Sequence, residues 1–249
     1  MVVTKADIAS GFVNLGLGRG DLVTMHSSLK SLGQVADGAH TVIDALREVL
    51  GAEGTILMPA FSFSLKAQEN PVFDVAETPS CVGAVTEIFR KEYATHRSLH
   101  LSHSYSAAGP LAEELTIHPL DITPCGKESP IARFLARGGK ILLLGAGYNS
   151  CTAFHAIEEK MCVPYMAYVL RTDAAYRRDG CEYPLPSRTL VRGFSYDFTV
   201  LDKDFRDRGV LRETKIGDAD VMLLDGRGFS AIVEDKLKND AGIFFRGYK

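Results

Sequence analysis

The sequence predicts an α/β fold: a single domain over residues 1–249 with a mixed central sheet flanked by helices, and added antiparallel strands in the C-terminal third. Three observations lead there. Short apolar runs at residues 21–26, 54–58 and 141–144 are each followed by turn residues and a helical pattern, the signature of βα units. After Pro164 the pattern changes to short alternating segments, as at 165–170 and 190–201, which suits antiparallel strands. No low-complexity linker and no internal repeat divides the chain.

Taken in order, residues 4–17 form a helical stripe of Ile8, Phe12, Val13 and Leu15 behind Thr4, a capping residue. A glycine-rich break at 16–20 leads into the strand 21–26, then Ser27-Ser28-Leu29-Lys30-Ser31-Leu32-Gly33. Two serines and the amides of a turn after a strand can hold an anion such as phosphate, with Lys30 adding charge; a capped loop with no ligand fits the same residues. A helix over 42–50, a buried strand ended by Pro59, a loop over 63–80 and a helix over 83–90 follow.

Residues 96–103 carry His96, His100 and His103, three histidines in eight residues. The alternation there is strand-like, so His100 and His103, three apart, fall on opposite faces, and no acids or cysteines complete a zinc set. The expectation is no metal, with one or two of these histidines lining a pocket. A proline-rich turn opens the helix 131–137.

The stretch 141–159 organises the chain: a buried strand, a turn through Gly145 and Gly147, then a helix that Asn149, Ser150 or Thr152 can cap. His155 and Glu158 are three apart and share one helical face, the arrangement of a general base and its orienting carboxylate, although an ordinary βα junction has the same spacing. Further on, 221–224 reads as a buried strand, 226–228 as a turn and 230–238 as a closing helix.

Composition narrows the function classes. The 249 residues are 46% hydrophobic and 24% charged, ordinary for a globular protein, and the net charge of −3 argues against a nucleic-acid binder. No apolar run reaches the ~18 residues that would span a membrane. The start of the chain lacks a signal-peptide layout, and the five cysteines are odd in number and scattered. Free thiols in the cytoplasm are expected.

Four segments together resemble the aminoglycoside 3-N-acetyltransferase family of antibiotic-resistance enzymes. They are Met25-His26-Ser27-Ser28-Leu29-Lys30-Ser31-Leu32-Gly33, residues 54–62, Arg97-Ser98-Leu99-His100-Leu101-Ser102-His103-Ser104 running on to Pro110, and residues 139–158 with Thr152-Ala153-Phe154-His155-Ala156-Ile157-Glu158. The resemblance spans roughly residues 5 to 165 and is thin beyond Pro164. It implies an N-acyltransferase, outside the GNAT fold, that moves an acyl group from acetyl-CoA or another acyl-CoA to an amine without a metal. It implies that His26, Ser27, Ser28, Leu29 and Lys30 hold the coenzyme A pyrophosphate, with Thr152 in the same motif as the base. Ser104 would sit by the pantetheine arm or acyl group. His155 would be the catalytic base and Glu158 its partner, with backbone amides, or the side chain of Ser104 or His103, stabilising the oxyanion.

Two departures stand out. The family's His-Pro-x-His-Ser reads His100-Leu101-Ser102-His103-Ser104 here, and its Gly-x-Gly-Ser-Pro loop reads Gly126-Lys127-Glu128-Ser129-Pro130. The 63–80 loop is short, with Glu69, Asp74 and Glu77 as its carboxylates, few for a polycationic drug. The expected partner is therefore a small-molecule amine, either an aminoglycoside or a nucleotide-linked amino sugar. Neither nucleic acid nor a membrane is expected as a partner, and a homo-oligomer stays open. The competing readings are a hydrolase with Ser104 or Cys151 as nucleophile, and an inactive coenzyme A-binding protein.

Overall fold

The computed structural model describes residues 2–249. Thr4 and Asp7 cap the first helix, α1 (Lys5–Asn14), reciprocally: the Asp7 amide donates to the Thr4 hydroxyl and the Thr4 amide to the Asp7 carboxylate at 2.8 Å. The chain then builds β1 (Leu22–Ser27), α2 (Gly38–Leu50), β2 (Thr55–Pro59), the short β3 (Val72–Asp74), α3 (Ala84–Ile88), β4 (His96–Arg97), β5 (Tyr105–Ala108), α4 (Ala112–Thr116), α5 (Pro130–Ala136), β6 (Lys140–Leu144) and α6 (Ala153–Lys160). Beyond Pro164 come β7 (Tyr168–Arg171), β8 (Ala175–Arg178), β9 (Cys181–Pro184), β10 (Ser187–Leu190), β11 (Phe194–Tyr196), α7 (Asp202–Asp207), β12 (Leu211–Ile216), β13 (Ala219–Leu224), α8 (Gly226–Asn239) and β14 (Phe245–Tyr248).

Seven strands form the main sheet in the order β12-β13-β6-β1-β2-β5-β4. Its centre is parallel: β1 lies between β2 and β6, with Thr24 opposite Leu57 and Met25 opposite Leu142. The outer pairs are antiparallel. The apolar run of β6 is explained by burial on both faces. Leu142 and Leu144 face the core formed with Ile8, Phe12, Val42 and Leu46 of α1 and α2. Ile141 and Leu143 face the core holding Phe134, Phe154 and Phe229 of α5, α6 and α8. Among the described residues no helix is long and apolar enough to cross a membrane.

The structure corrects five of the sequence assignments. The second helix begins at Gly38, four residues before 42, following Asp37 in the left-handed region at φ 55°. Residues 226–228 are the first turn of α8, capped by the Asp225 carboxylate, which accepts from the Gly228 amide at 2.7 Å. Gly226 is there for close approach, since a Cβ would stand 2.0 Å from the Gly139 carbonyl oxygen. Residues 98–104 are not a strand but the connection between β4 and β5. The segment 63–80 is not all loop, because β3 pairs with β8. Most C-terminal strands do not extend the main sheet: β7 with β10, β11 with β14, and β3-β8-β9 form three small separate sheets, and only β12 and β13 join the large one.

Candidate active site

The C-terminal ends of β1, β2 and β6 and the N-terminal end of β5 meet at one edge of the sheet, which is where α/β folds open a crevice. A cavity of about 520 Å³ lies there. β1 brings His26, Ser27 and Ser28 to it, the end of β2 brings Pro59 and Phe61, and the turn after β6 brings Gly145, Ala146 and Gly147. Gly145 is in the left-handed region at φ 62°, and a Cβ there would meet Ser31 at 2.6 Å. Gly147, at φ −93°, makes no such demand.

His155 lines the cavity from the first turn of α6. Its Nδ1 lies 2.5 Å from Glu158 Oε2. The Glu158 side chain is fully buried, and its other oxygen accepts from the Tyr165 hydroxyl. A carboxylate so placed accepts a hydrogen bond from Nδ1–H and favours the tautomer that leaves Nε2 with its lone pair. The rings of Tyr196, 4.9 Å away, and Phe198 stand edge-on around the imidazole.

His103 lines the same cavity beside Phe61 and Phe63. Its Nδ1 is 2.8 Å from the Ser102 hydroxyl, and its amide donates to His100 Nδ1 at 3.0 Å. Burial first, then the positive charge of Lys66, holds His103 well below the usual imidazole range. It is therefore neutral at neutral pH. In the tautomer in which the Ser102 hydroxyl donates to Nδ1, Nε2–H is a hydrogen-bond donor. Burial pushes His26 down to about 4, so that histidine is neutral as well.

The other expected residues divide. Thr152 lines the cavity at the head of α6, but neither its side chain nor those of Asn149 and Ser150 cap that helix; Asn149 Oδ1 accepts instead from the Phe198 amide at 2.8 Å. Leu29 and Lys30 fall in a short 3₁₀ turn outside the cavity lining, with Lys30 exposed. The Ser28 amide, expected to hold an anion, donates instead to the Leu144 carbonyl at 2.9 Å, and the Ser28 hydroxyl accepts from Ser31. Ser104 is not brought to the cavity: it is fully buried, and its hydroxyl donates to the Ala60 carbonyl at 2.7 Å. Cys151 is buried too, and burial pushes its thiol up to about 12. Neither is presented as a nucleophile.

Three contributors escaped the sequence reading. Tyr165 holds Glu158, and Tyr196 and Phe63 wall the cavity. All three come from segments whose spacing carries no catalytic pattern. A smaller cavity of about 200 Å³ adjoins through the shared residues Phe63, His103, His155 and Tyr196. It continues past Lys66, Glu159, Met166, Tyr168 and Phe194. Glu159 accepts from the Cys125 amide at 3.0 Å and the Tyr168 hydroxyl at 2.6 Å, and burial raises its carboxyl above the usual range. Among the described residues no group of three or more histidine, cysteine or acidic side chains is placed to hold a metal ion.

Known proteins resemble this chain in sequence and fold. The family model described as aminoglycoside 3-N-acetyltransferase matches residues 24–238. Aminoglycoside N(3)-acetyltransferase VII of Streptomyces paromomycinus is 31% identical, over 96% of this chain and 94% of its own. The solved structure of aminoglycoside acetyltransferase AAC(3)-IVa in complex with gentamicin superposes with a TM-score of 0.85 at 29% identity, covering 98% of this chain and 92% of that one. The AAC-IIIb binary complex with CoASH superposes with a TM-score of 0.82 at 25% identity, covering 96% and 97%. With the βα crevice, the His155–Glu158 pair and these likenesses together, the chain belongs to the aminoglycoside 3-N-acetyltransferase family, as a coenzyme A-dependent N-acyltransferase with acetyl-CoA as co-substrate.

Proposed function

We propose that residues 1–249 act as one unit that moves the acetyl group of acetyl-CoA to a primary amine of an amino sugar, by direct attack with His155 as general base. The observation that carries this reading is the Tyr165–Glu158–His155 chain of hydrogen bonds ending at the large cavity. An alkyl amine is protonated near neutrality, at a pKa of ~10, and attacks only once it has lost a proton. The amine gives that first proton to solvent; as the C–N bond forms the nitrogen becomes positive, His155 Nε2 takes a second proton from it, and Glu158 stabilises the imidazolium. The thioester oxygen becomes an oxyanion, which the neutral His103 meets as a donor. Collapse breaks the C–S bond, and the proton held on His155 goes to the departing sulfur.

The lining of the large cavity contains no aspartate or glutamate, which suits an anionic coenzyme A. The hydroxyls of Ser27, Ser28 and Thr152 and the backbone around Gly145 are the groups we assign to it. The smaller cavity, on the far side of His103 and His155, would take the amine. Acceptor candidates are an aminoglycoside, by analogy with the gentamicin complex of AAC(3)-IVa, and a nucleotide-linked amino sugar. A hydrolase that uses Ser104 or Cys151 is disfavoured by their burial and engaged or protonated side chains.

The test is thiol release from acetyl-CoA with a panel of amines, run beside His155→Asn. The substitution should lower kcat by about 10²-fold or more while calorimetry gives an unchanged coenzyme A affinity. Wild-type turnover in that variant would remove His155 from the chemistry.

A further inference from the structure

We infer that the acceptor carries an anionic group, a phosphate or carboxylate, and that Lys66 in the smaller cavity receives it. The inference rests on the acyl-transfer reading above and specifies its acceptor. Lys66 lines that cavity at the end of the 3₁₀ turn Phe63–Ala67, with its ammonium 4.8 Å from the Phe63 ring centre. Among the described residues no carboxylate lies within 4.0 Å of its Nζ, and none accepts a hydrogen bond from it. Most of the side chain is buried, and desolvation lowers its pKa. A partly desolvated ammonium that reaches a cavity with no counter-ion favours a bound anion.

The surroundings point the same way. The acid in the cavity's lining, Glu159, accepts from the Cys125 amide and the Tyr168 hydroxyl through Oε1, and its Oε2 is buried without a partner. Lys249 adds a second cation to the lining. Several carboxylates of the surrounding segments are matched to arginines, Asp173 to Arg171, Glu182 and Asp74 to Arg177, and Asp121 to Arg188. Residues 166–196, which carry β7 to β11, hold five arginines against three acids in a chain whose net charge is −3. Among the described residues, the one unpartnered carboxylate oxygen lining the cavity is Glu159 Oε2, a single group where a polycationic drug requires several.

The experiment compares glucosamine, glucosamine 6-phosphate, muramic acid and gentamicin by thiol release, and measures binding of each to the coenzyme A-loaded protein by calorimetry. The phosphate and carboxylate arms identify which anion is read. At least one anionic amine should exceed glucosamine in kcat/KM by about 10-fold or more. Lys66→Gln should collapse that ratio, and Lys66→Arg should keep it. Gentamicin preferred over both anionic amines, or an anionic preference that Lys66→Gln does not move, would overturn the inference and leave acyl transfer standing. Weakened coenzyme A affinity in Lys66→Gln would assign the charge to the cofactor and overturn it too. Absence of thiol release with every amine counts against the acyl-transfer reading itself; calorimetry then still decides whether Lys66 selects an anionic amine.

Discussion

In the proposed chemistry, Glu158 is the residue that holds the base. A buried carboxylate is costly unless its oxygens are satisfied, and here one meets His155 and the other Tyr165. Tyr165→Phe should therefore cost about 1–3 kcal/mol, read as a lower urea midpoint at constant m-value, and should reduce kcat because Glu158 loses the contact that fixes it. Unchanged stability and kcat would mean the tyrosine hydroxyl does nothing for the pair. The His155–Glu158 spacing was legible because both residues lie on one helix. Tyr165 was not, since it lies seven residues past Glu158 and beyond the end of α6, and its approach is set by the loop after that helix.

At the scale of elements, Arg97 at the end of β4 holds the 63–80 segment against the sheet. Its guanidinium donates to the carbonyls of Val75 at 3.0 Å, Thr78 at 2.7 Å and Ala60 at 3.2 Å, and stacks over Phe73. That segment carries Phe63 and Lys66, so Arg97 supports this wall of the smaller cavity from outside it. Arg97→Ala should cost on the order of 3 kcal/mol and expose residues 63–80 to limited proteolysis before the rest of the chain. Cleavage with the wild-type pattern would show that the segment is held by something else. β1, β2 and β6 could be read because strands buried on both faces are continuous apolar runs. β12 (LRETKI) could not: it is an edge strand with mostly polar residues, and its pairing with β13 is what makes it a strand.

Over the whole molecule, burial keeps several histidines neutral. His26 and His118 are each held down to about 4, and His100 and His103 well below the usual range. In the unfolded chain each would bind a proton near ~6.5. The unfolded state therefore takes up protons first as pH falls, and the folded state loses stability between about 6.5 and 4. For His26 and His118 the loss is on the order of 3 kcal/mol apiece. Urea unfolding at pH 7.5 and pH 5 should give a clearly lower midpoint at the acid value, and His118→Asn should flatten the difference. Equal midpoints would contradict the burial of these imidazoles.

The sequence by itself determined the βα order, the buried strands, the His155–Glu158 pair and the likeness to a family of N-acetyltransferases. All of these follow from local periodicity, short-range spacing or motifs along one stretch of chain. Only the tertiary structure decided which motif residues reach the cavity. Ser104 shares a motif with His103, yet its hydroxyl is turned to the Ala60 carbonyl, and the Ser28 amide is taken by Leu144 of the neighbouring strand. It also brought Lys66, Tyr165 and Tyr196 to the site from three separate segments. A backbone hydrogen bond to an adjacent strand, or a side chain arriving from far along the chain, leaves no periodic trace in the sequence, because its partner is chosen by packing.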